Sequence, residues 1–260
     1  MSLPLIMVAP NGARRGKADH PALPVTIPEI VACAAECFAA GAGGIHAHVR
    51  DAAGAHVLDA GLYAELLAEL ARAVPGMAVQ ITTEAVGRYS PAEQRALVAR
   101  LRPASVSVAL REITAEPDEA VTRRFFHDCH EAGIGVQHIL YDAEEVDLLA
   151  RLIGEGAIPA GGLQLLHVLG RYSAGQVSQP ADLDAPLARQ RAAGLTADWA
   201  VCAFGPAETD CLLAAVAQGG KARIGFENNL MNRDGSRAAS NADRVRELAA
   251  AIPAAESAPG

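Results

Sequence analysis

The sequence lacks any long apolar run. No stretch reaches the roughly 18 consecutive apolar residues that a membrane-spanning helix needs. The first residues also lack the charged segment followed by an apolar run that is typical of a secretory signal. Both absences argue against a membrane partner and predict a cytoplasmic protein.

Clustered positive charge is missing as well. The net charge is −8, from 22 basic and 30 acidic residues, and near the start of the chain three cations stand close together, Arg14, Arg15 and Lys17. A protein that binds nucleic acid normally presents a basic surface to the phosphates. We therefore expect no nucleic-acid partner.

The chain is also poor in paired cysteines. Its five cysteines are odd in number and form no C-x-x-C motif. This pattern argues against a disulfide framework and predicts reduced thiols that pack as small hydrophobic residues.

What the sequence does contain is a regular alternation of short apolar runs with helical patterns. The apolar runs predict strands at residues 5–9, 44–49, 77–82, 104–109, 135–140, 163–169, 199–203 and 222–226. The helical patterns lie at residues 27–40, 59–74, 90–101, 118–131, 143–153, 183–193, 208–218 and 241–251. Thr26 with Glu29, and Ser90 with Glu93, have the spacing of capping boxes at helix starts.

Eight strand-to-helix units in 260 residues predict an α/β fold, a (β/α)8 TIM barrel in one domain over residues 1–260, with residues 254–260 as a disordered tail. The alternative is a doubly wound open sheet, which usually carries G-x-G-x-x-G after its first strand. Here the first strand is followed by Pro10-Asn11-Gly12-Ala13-Arg14 instead. The barrel is therefore favoured.

His46 and His48 are separated by one residue in the second predicted strand. Because side chains alternate between the two faces of a strand, both imidazoles point the same way. They can form two arms of a zinc site or a satisfied polar pair near the sheet, and the spacing alone does not choose between these. The other six histidines are predicted to lie outside such a site, as buried barrel residues (His138, His167) or incidental loop and surface residues (His20, His56, His127, His130).

Polar side chains collect at the carboxyl ends of the predicted strands, where a barrel places its active site. Glu227, after the last strand, is a candidate third ligand, because two imidazoles and one carboxylate leave an open position for catalysis on zinc. The alternative is a carboxylate that binds backbone N–H groups at a helix start. Arg223 lies four residues before Glu227 and is predicted by alternation to share its face.

Six segments, from the first strand to the last, together resemble the β-keto acid cleavage enzyme family. They are residues 9–13, 18–26, His46-Ala47-His48-Val49-Arg50-Asp51, 82–87, 168–170 and Arg223-Ile224-Gly225-Phe226-Glu227-Asn228-Asn229. Members of the family are zinc-dependent (β/α)8 barrels that convert a β-keto acid and acetyl-CoA into acetoacetate and a new acyl-CoA. The resemblance therefore implies this acyl transfer, with acetyl-CoA as co-substrate.

The resemblance also assigns roles to particular residues. It implies that His46, His48 and Glu227 bind the metal and that Arg223 takes part in proton transfer. It places Thr82 and Ser107 near the substrate, and Thr82 and Asn228 join Arg223 as catalytic candidates. We expect further substrate contacts from strand-end residues, namely Asn11, Arg14 and Glu84.

Two positions depart from the family pattern. Members that act on aminated substrates have glutamate at the position of Arg14, so an arginine there predicts a keto acid with a second carboxylate or another anionic or polar tail. Asn228 stands where those members have an aspartate paired with the catalytic arginine. Either another carboxylate such as Glu84 takes that part, or Arg223 acts differently.

Two other functions stay open from the sequence. One is a metal-dependent barrel lyase or hydrolase that does not use CoA, and the other is a catalytically silent binding barrel, which the three intact ligands disfavour. We also expect a homo-oligomer, a dimer or a tetramer, as is common in the family.

Overall fold

Eight short parallel strands close into a barrel. The computed structural model describes residues 2–116 and 118–253, and within them the strands follow the order of the chain. They are β1 (Ile6–Val8), β2 (Gly44–Ala47), β3 (Ala78–Thr82), β4 (Ser105–Ala109), β5 (Gly135–Leu140), β6 (Gln164–Leu169), β7 (Asp198–Ala203) and β8 (Lys221–Ile224). Closure is made by β1, in which Val8 pairs with Ile45 of β2 on one side and Ile224 of β8 on the other.

Helices surround the barrel and return the chain from each strand to the next. They are α1 (Ile27–Ala39), α2 (Ala60–Ala73), α3 (Pro91–Leu101), α4 (Leu110–Ile113), α5 (Glu119–Glu131), α6 (Ala143–Gly154), α7 (Asp184–Ala192), α8 (Glu208–Ala217) and α9 (Asn241–Ala251). The short α4 and two 3-10 turns, Ala174–Gln176 and Pro180–Leu183, were not predicted. Each is too short to carry a periodic apolar pattern.

Local sequence explains where the main helices begin. Thr26 Oγ1 accepts a hydrogen bond from Glu29 N while Glu29 Oε2 accepts from Thr26 N, so the predicted capping box forms. Ser90 and Glu93 form the second capping box. These caps satisfy N–H groups that have no partner within a helix.

The core has two layers. Outward side chains of the strands pack against the helices in one large apolar cluster that includes Ile45, Ile81 and Val201. A separate cluster fills the barrel interior with side chains such as Leu166, Val168 and Cys202. The five cysteines are free thiols, as predicted.

The predicted (β/α)8 barrel is confirmed, and every strand end lies within two residues of its prediction. The largest differences are at the ends of β2 and β8, and β8 ends at Ile224 because Gly225 takes a φ of +146° that a strand cannot continue. The predicted tail, residues 254–260, lies outside the described residues. Among the residues described, no helix combines the length and the apolarity needed to cross a membrane.

Candidate active site

A cavity opens at the carboxyl ends of the strands. The space between its walls, about 780 Å³, is continuous with solvent. Its walls include side chains from the ends of seven strands or the loops after them: Asn11, Arg14, His46, Thr82, Glu84, Ala109, Tyr141, Arg171, Arg223 and Glu227. The site residues predicted from the sequence therefore line this cavity, except for His48, Ser107 and Asn228.

His46, His48 and Glu227 form a compact cluster at the cavity floor. The two Nε2 atoms are 3.2 Å apart. Glu227 Oε2 lies 3.8 Å from His46 Nε2, and Glu227 Oε1 lies 3.7 Å from His48 Nε2. The potential ligand atoms all lie within 4.8 Å of one another, as a shared metal ion requires.

The chemistry of these side chains fits a metal ion. Burial lowers the pKa of both imidazoles well below its ordinary value, so each ring is neutral and has a lone pair to offer. His48 Nδ1 and Glu227 Oε2 are buried and have no hydrogen-bond partner among the described residues. Two imidazoles and one carboxylate form the ligand set of an open, catalytic zinc site.

The amide side chain of Asn11 holds His48 in place from β1. Its Nδ2 donates to His48 O at 2.9 Å, and its Oδ1 accepts from His48 N at 3.3 Å. The side chain thus extends the β1–β2 pairing beyond the point where the backbone ladder ends. Both the NH₂ group and the oxygen of the Asn11 side chain bind the His48 backbone. Asn11 therefore lines the cavity mainly as a support for His48.

A turn, and not strand alternation, brings Glu227 to the histidines. Alternation was the wrong reason for placing it beside Arg223, because β8 ends before Gly225. Glu227 N donates to Ala9 O at 3.1 Å, and Asn228 N closes the turn on Gly225 O at 2.9 Å. The turn carries the carboxylate back so that its Oε1 lies 3.9 Å from Arg223 Nη2.

Arg223 is buried in the cavity wall. Its Nη2 is 3.6 Å from Cys202 Sγ, while Nε and Nη1 have no hydrogen-bond partner in the described part of the chain. Within that part, Glu227 is the carboxylate that lies within 4 Å of the guanidinium. Glu84 therefore does not replace the family aspartate by pairing with Arg223.

Asn228 lies behind the cavity wall and not in it. Its amide donates to Arg223 O and to Glu208 Oε1, each at 3.3 Å. Glu208 is fully buried and pairs with Arg244 at 2.9 Å. Burial raises the pKa of Glu208 to about 7, against the opposing effect of Arg244. Asn228 thus links the β8 turn to a buried ion pair that the sequence did not reveal.

Glu84 occupies the acidic side of the cavity. Its carboxylate lies 3.9 Å from both His48 Nδ1 and Arg171 Nη2. Burial, followed by the charge of Glu227, raises the pKa of Glu84 to about 7. Thr82 Oγ1 accepts from Glu84 N at 3.0 Å, which leaves the Thr82 hydroxyl hydrogen free to donate into the cavity.

Arg14 and Ser107 have different surroundings. Arg14 is exposed at the cavity rim, in the loop between β1 and α1. Ser107 is buried in β4, and its backbone carbonyl accepts from Thr83 Oγ1 at 3.0 Å. Ser107 supports the end of β3 and does not line the cavity.

Several residues near the site were missed or misplaced from the sequence. The sequence predicts His56 and His20 to be incidental, but both are buried. The His56 ring lies 4.9 Å from that of His48, and the His20 ring 4.4 Å from that of Phe226. His138 and His167 are buried, as predicted, and lie outside the metal cluster. Tyr141 and Arg171 line the cavity one and two residues after their strands, so extending the strand-end search would have found them.

Arg50 and Arg15 hold the β1–α1 loop in place on two sides. Arg15 donates to Phe226 O at 2.6 Å and to Asn228 O at 3.3 Å, on the β8 side. The guanidinium of Arg50 donates to four backbone carbonyls, those of Asn11, Gly12, Arg15 and Gly54. The loop that carries Arg14 is therefore fixed at the cavity rim.

Comparison with known proteins gives a family match over nearly the whole chain. The sequence model of the family described as beta-keto acid cleavage enzyme matches residues 4–259. Over 250 residues the chain is 27% identical to a 3-keto-5-aminohexanoate cleavage enzyme of Fusobacterium nucleatum, which covers 94% of this chain and 89% of that protein. It is 26% identical over 250 residues to a 3-oxoadipate:acetyl-CoA acetyltransferase of Cupriavidus necator, covering 95% and 87%.

Solved structures support the fold. The complex of ObcA with oxaloacetate superposes with a TM-score of 0.71 at 15% identity, over 88% of this chain and 63% of ObcA. Thiamine phosphate pyrophosphorylase from Pyrococcus furiosus superposes with a TM-score of 0.55 at 11% identity, over 95% and 94%. The chain thus spans less than two thirds of ObcA, and at these identities the likeness concerns the barrel alone.

Proposed function

Because this chain belongs to the β-keto acid cleavage enzyme family, we propose that it is a zinc-dependent acyltransferase that reacts a β-keto acid with acetyl-CoA to give acetoacetate and a new acyl-CoA. The acyl group of the keto acid moves to the sulfur of CoA, and the acetyl group moves to the carbon that carried the acyl group. The exchange balances without an oxidant or a reductant. A relative named for 3-oxoadipate and acetyl-CoA supports this pair of substrates.

The observation that carries the proposal is the cluster of His46, His48 and Glu227 on the floor of a cavity that Arg223 also lines. These three residues would hold the zinc. Bound there, the ion would supply Lewis-acid stabilisation of the negative charge that develops on the keto acid as its C–C bond breaks. An open cavity above the cluster leaves room for the substrate.

Arg223 is suited to a fixed cationic donor. A guanidinium keeps its proton in proteins, and this one is buried with two nitrogens free of partners among the described residues. It can donate N–H groups to the carboxylate or the developing oxyanion, and in a buried site such a donor is strong. We therefore assign charge stabilisation to Arg223 in place of the proton transfer that the family resemblance implies.

Other cavity residues orient the substrate. The Thr82 hydroxyl donates to it, while Glu84 and Arg171, 3.9 Å apart, form a polar wall. Asn11, Asn228 and Ser107 act through the residues that they hold, namely His48, the β8 turn and the end of β3. We class these three as positioning residues.

Arg14 selects the tail of the keto acid. Its guanidinium stands at the rim with Arg171 further along the same cavity, so this side favours a carboxylate and disfavours an ammonium group. The proposed substrate is thus a β-keto acid with an anionic or polar tail. The relative that acts on 3-oxoadipate, a dicarboxylate, is consistent with this assignment.

The activity is tested by supplying keto acids and acetyl-CoA separately and together, with and without a chelator. We expect acetoacetate and a new acyl-CoA only when both substrates are present, loss of turnover with chelator, and recovery with Zn²⁺. Turnover without CoA would instead support the metal-dependent lyase or hydrolase. No reaction with any mono- or dicarboxylic keto acid would contradict the proposal.

Specificity is tested by reversing the charge at the rim. In Arg14→Glu, we expect kcat/KM for a dicarboxylic keto acid to fall on the order of 10- to 100-fold, because an attraction at a partly exposed site becomes a repulsion. Arg100→Glu makes the same charge change on α3, away from the cavity, and controls for net charge. Equal turnover of the dicarboxylic substrate by wild type and Arg14→Glu would remove Arg14 from substrate selection.

A further inference from the structure

A chain of buried amide groups leads from the barrel interior to His46. His46 and Gln80 are paired across β2 and β3, and His46 Nδ1 lies 2.9 Å from Gln80 Oε1. Gln80 Nε2 donates to Gln137 Oε1 at 3.2 Å, and Gln137 Nε2 donates to Leu165 O at 3.2 Å. Both glutamines are buried, so water does not compete for these groups.

The last acceptor in this series, Leu165 O, sets the direction of every hydrogen bond in it. The carbonyl of Leu165 can only accept a hydrogen bond, so Gln137 must turn its NH₂ group toward it and its oxygen toward Gln80. Gln80 must then present its NH₂ group to Gln137 and its oxygen to His46. An oxygen facing Nδ1 requires the proton of the His46 ring to be on Nδ1.

The same tautomer suits the position of His46 beside the other potential ligands. With its proton on Nδ1, His46 turns the lone pair of Nε2 toward His48 and Glu227. The two Nε2 atoms are 3.2 Å apart, and His48 Nδ1 faces Glu84 Oε2 at 3.9 Å.

We propose that Gln137 and Gln80 form an orienting relay that fixes the His46 ring in its Nδ1–H form and so keeps Nε2 ready for a metal ion. The relay rests on the metal site proposed above, and its residues are positioning residues that do not touch the substrate. Partners of this kind set the tautomer and the orientation of a metal-binding histidine. Because Gln137 lies one residue further away, it acts on His46 only through Gln80.

The chain offers a matched control. His167 Nε2 contacts Gln190 Oε1 at 2.9 Å, which is also a buried glutamine on a barrel histidine. That pair lies between β6 and α7, outside the metal cluster. Gln190→Leu therefore removes the same kind of contact without touching the relay.

The first measurement is the tautomer of His46 in the metal-free protein, read from long-range ¹H–¹⁵N spectra of ¹⁵N-histidine-labelled samples. We expect Nδ1–H in the wild type, in Gln190→Leu and in Gln80→Glu, whose carboxylate still accepts from Nδ1. Gln80→Leu and Gln137→Leu should show a mixture or the Nε2–H form. An Nε2–H ring in the wild type would overturn the relay, whether or not the protein binds zinc.

The second measurement is the Zn²⁺ dissociation constant, obtained by competition with a chelator. We expect it to rise about 10- to 100-fold in Gln80→Leu, to rise less but in the same direction in Gln137→Leu, and to stay near wild type in Gln80→Glu and Gln190→Leu. If Gln80→Leu does not fold, Gln137→Leu and Gln80→Glu still test the relay. A Gln137→Leu protein with an unchanged His46 tautomer and an unchanged Zn²⁺ affinity would contradict the relay. Failure of the wild type to bind Zn²⁺ would contradict the proposed metal, and the tautomer measurement alone would then test the relay.

Discussion

At the scale of single residues, the position of Glu227 depends on a neighbour with no side chain. Gly12 has a φ of +57°, and a Cβ built on it would lie 2.6 Å from Glu227 Cγ. A methyl group there must push the carboxylate away from the histidines. Gly12 is thus part of the proposed metal site although it offers no ligand atom.

We therefore expect Gly12→Ala to weaken Zn²⁺ binding by about 10- to 100-fold, as loss of outer support for a ligand does. Gly194→Ala is the matched control, because Gly194 has a φ of +65° but no atom within 4 Å of the added Cβ. Both variants place alanine in a left-handed backbone conformation, and only Gly12→Ala adds a steric clash with Glu227. Equal zinc affinity in both, measured by chelator competition, would show that Glu227 does not need the space above Gly12.

Some residue positions can be predicted from local sequence, and others depend on the three-dimensional structure. The closeness of His46 and His48 could be predicted because strand alternation fixes their common face, and the nearness of Glu227 because it follows the last strand. The support given by Asn11 and Asn228 could not be predicted, because it depends on which backbone groups their amides reach. Short polar side chains bind nearby backbone as readily as ligands, and sequence alone does not separate the two.

At the scale of elements, the loop between β1 and α1 is held from both sides by arginines. Arg50 joins it to the end of β2, and Arg15 joins it to the segment after β8. Such bonds keep Arg14 at one position on the rim. Arg50 directly follows the second predicted strand in the sequence. That its guanidinium binds carbonyls could not be predicted, because the loop conformation is set by the surrounding tertiary structure.

Arg50→Leu should destabilise the protein by about 2 kcal/mol, because it leaves buried carbonyls without their charged donor. We expect kcat/KM for the keto acid to fall on the order of 10-fold as the rim loop loosens. Arg123→Leu is the control, since Arg123 also donates to two loop carbonyls, at Glu155 and Gly156, outside the active-site cavity. A urea unfolding curve and kinetics on both variants test this; a loss of kcat/KM in Arg123→Leu as large as in Arg50→Leu would show that the effect is general.

At the scale of the whole molecule, the regular repeat of strand and helix made the barrel predictable. Eight apolar runs with capped helices between them leave few other arrangements. The end of β8 was predicted two residues too late, because Phe226 continues the apolar pattern while Gly225 turns the backbone. What the repeat could not predict is how the inward side chains connect, since those contacts join strands far apart in the sequence.

The stability of the barrel should fall as the solution is acidified, partly because of His138. Burial lowers the pKa of this ring from 6.5 to about 4. The unfolded chain therefore binds the proton more readily between these values, and stability is lost as pH falls through that window. From pH 7 to pH 5 this residue alone should cost about 2 kcal/mol.

His138→Phe tests this expectation, because an aromatic ring beside Phe126 keeps the packing and removes the titrating group. Denaturation at a series of pH values should give a smaller loss between pH 7 and pH 5 for the variant than for the wild type. His127→Phe, on the partly exposed face of α5, is the comparison. Parallel stability profiles for wild type and His138→Phe would contradict the assignment.

The three proposed metal ligands come from two distant parts of the sequence, which matters while the chain is being synthesised. Both histidines lie in or just after the second strand. Glu227 follows the eighth strand, and its backbone N–H donates to the carbonyl of Ala9, directly after the first strand. A growing polypeptide therefore carries two of the three proposed ligands early and gains the third only when the eighth strand lies beside the first. Tight metal binding at the proposed site would then report that the ring of strands has closed.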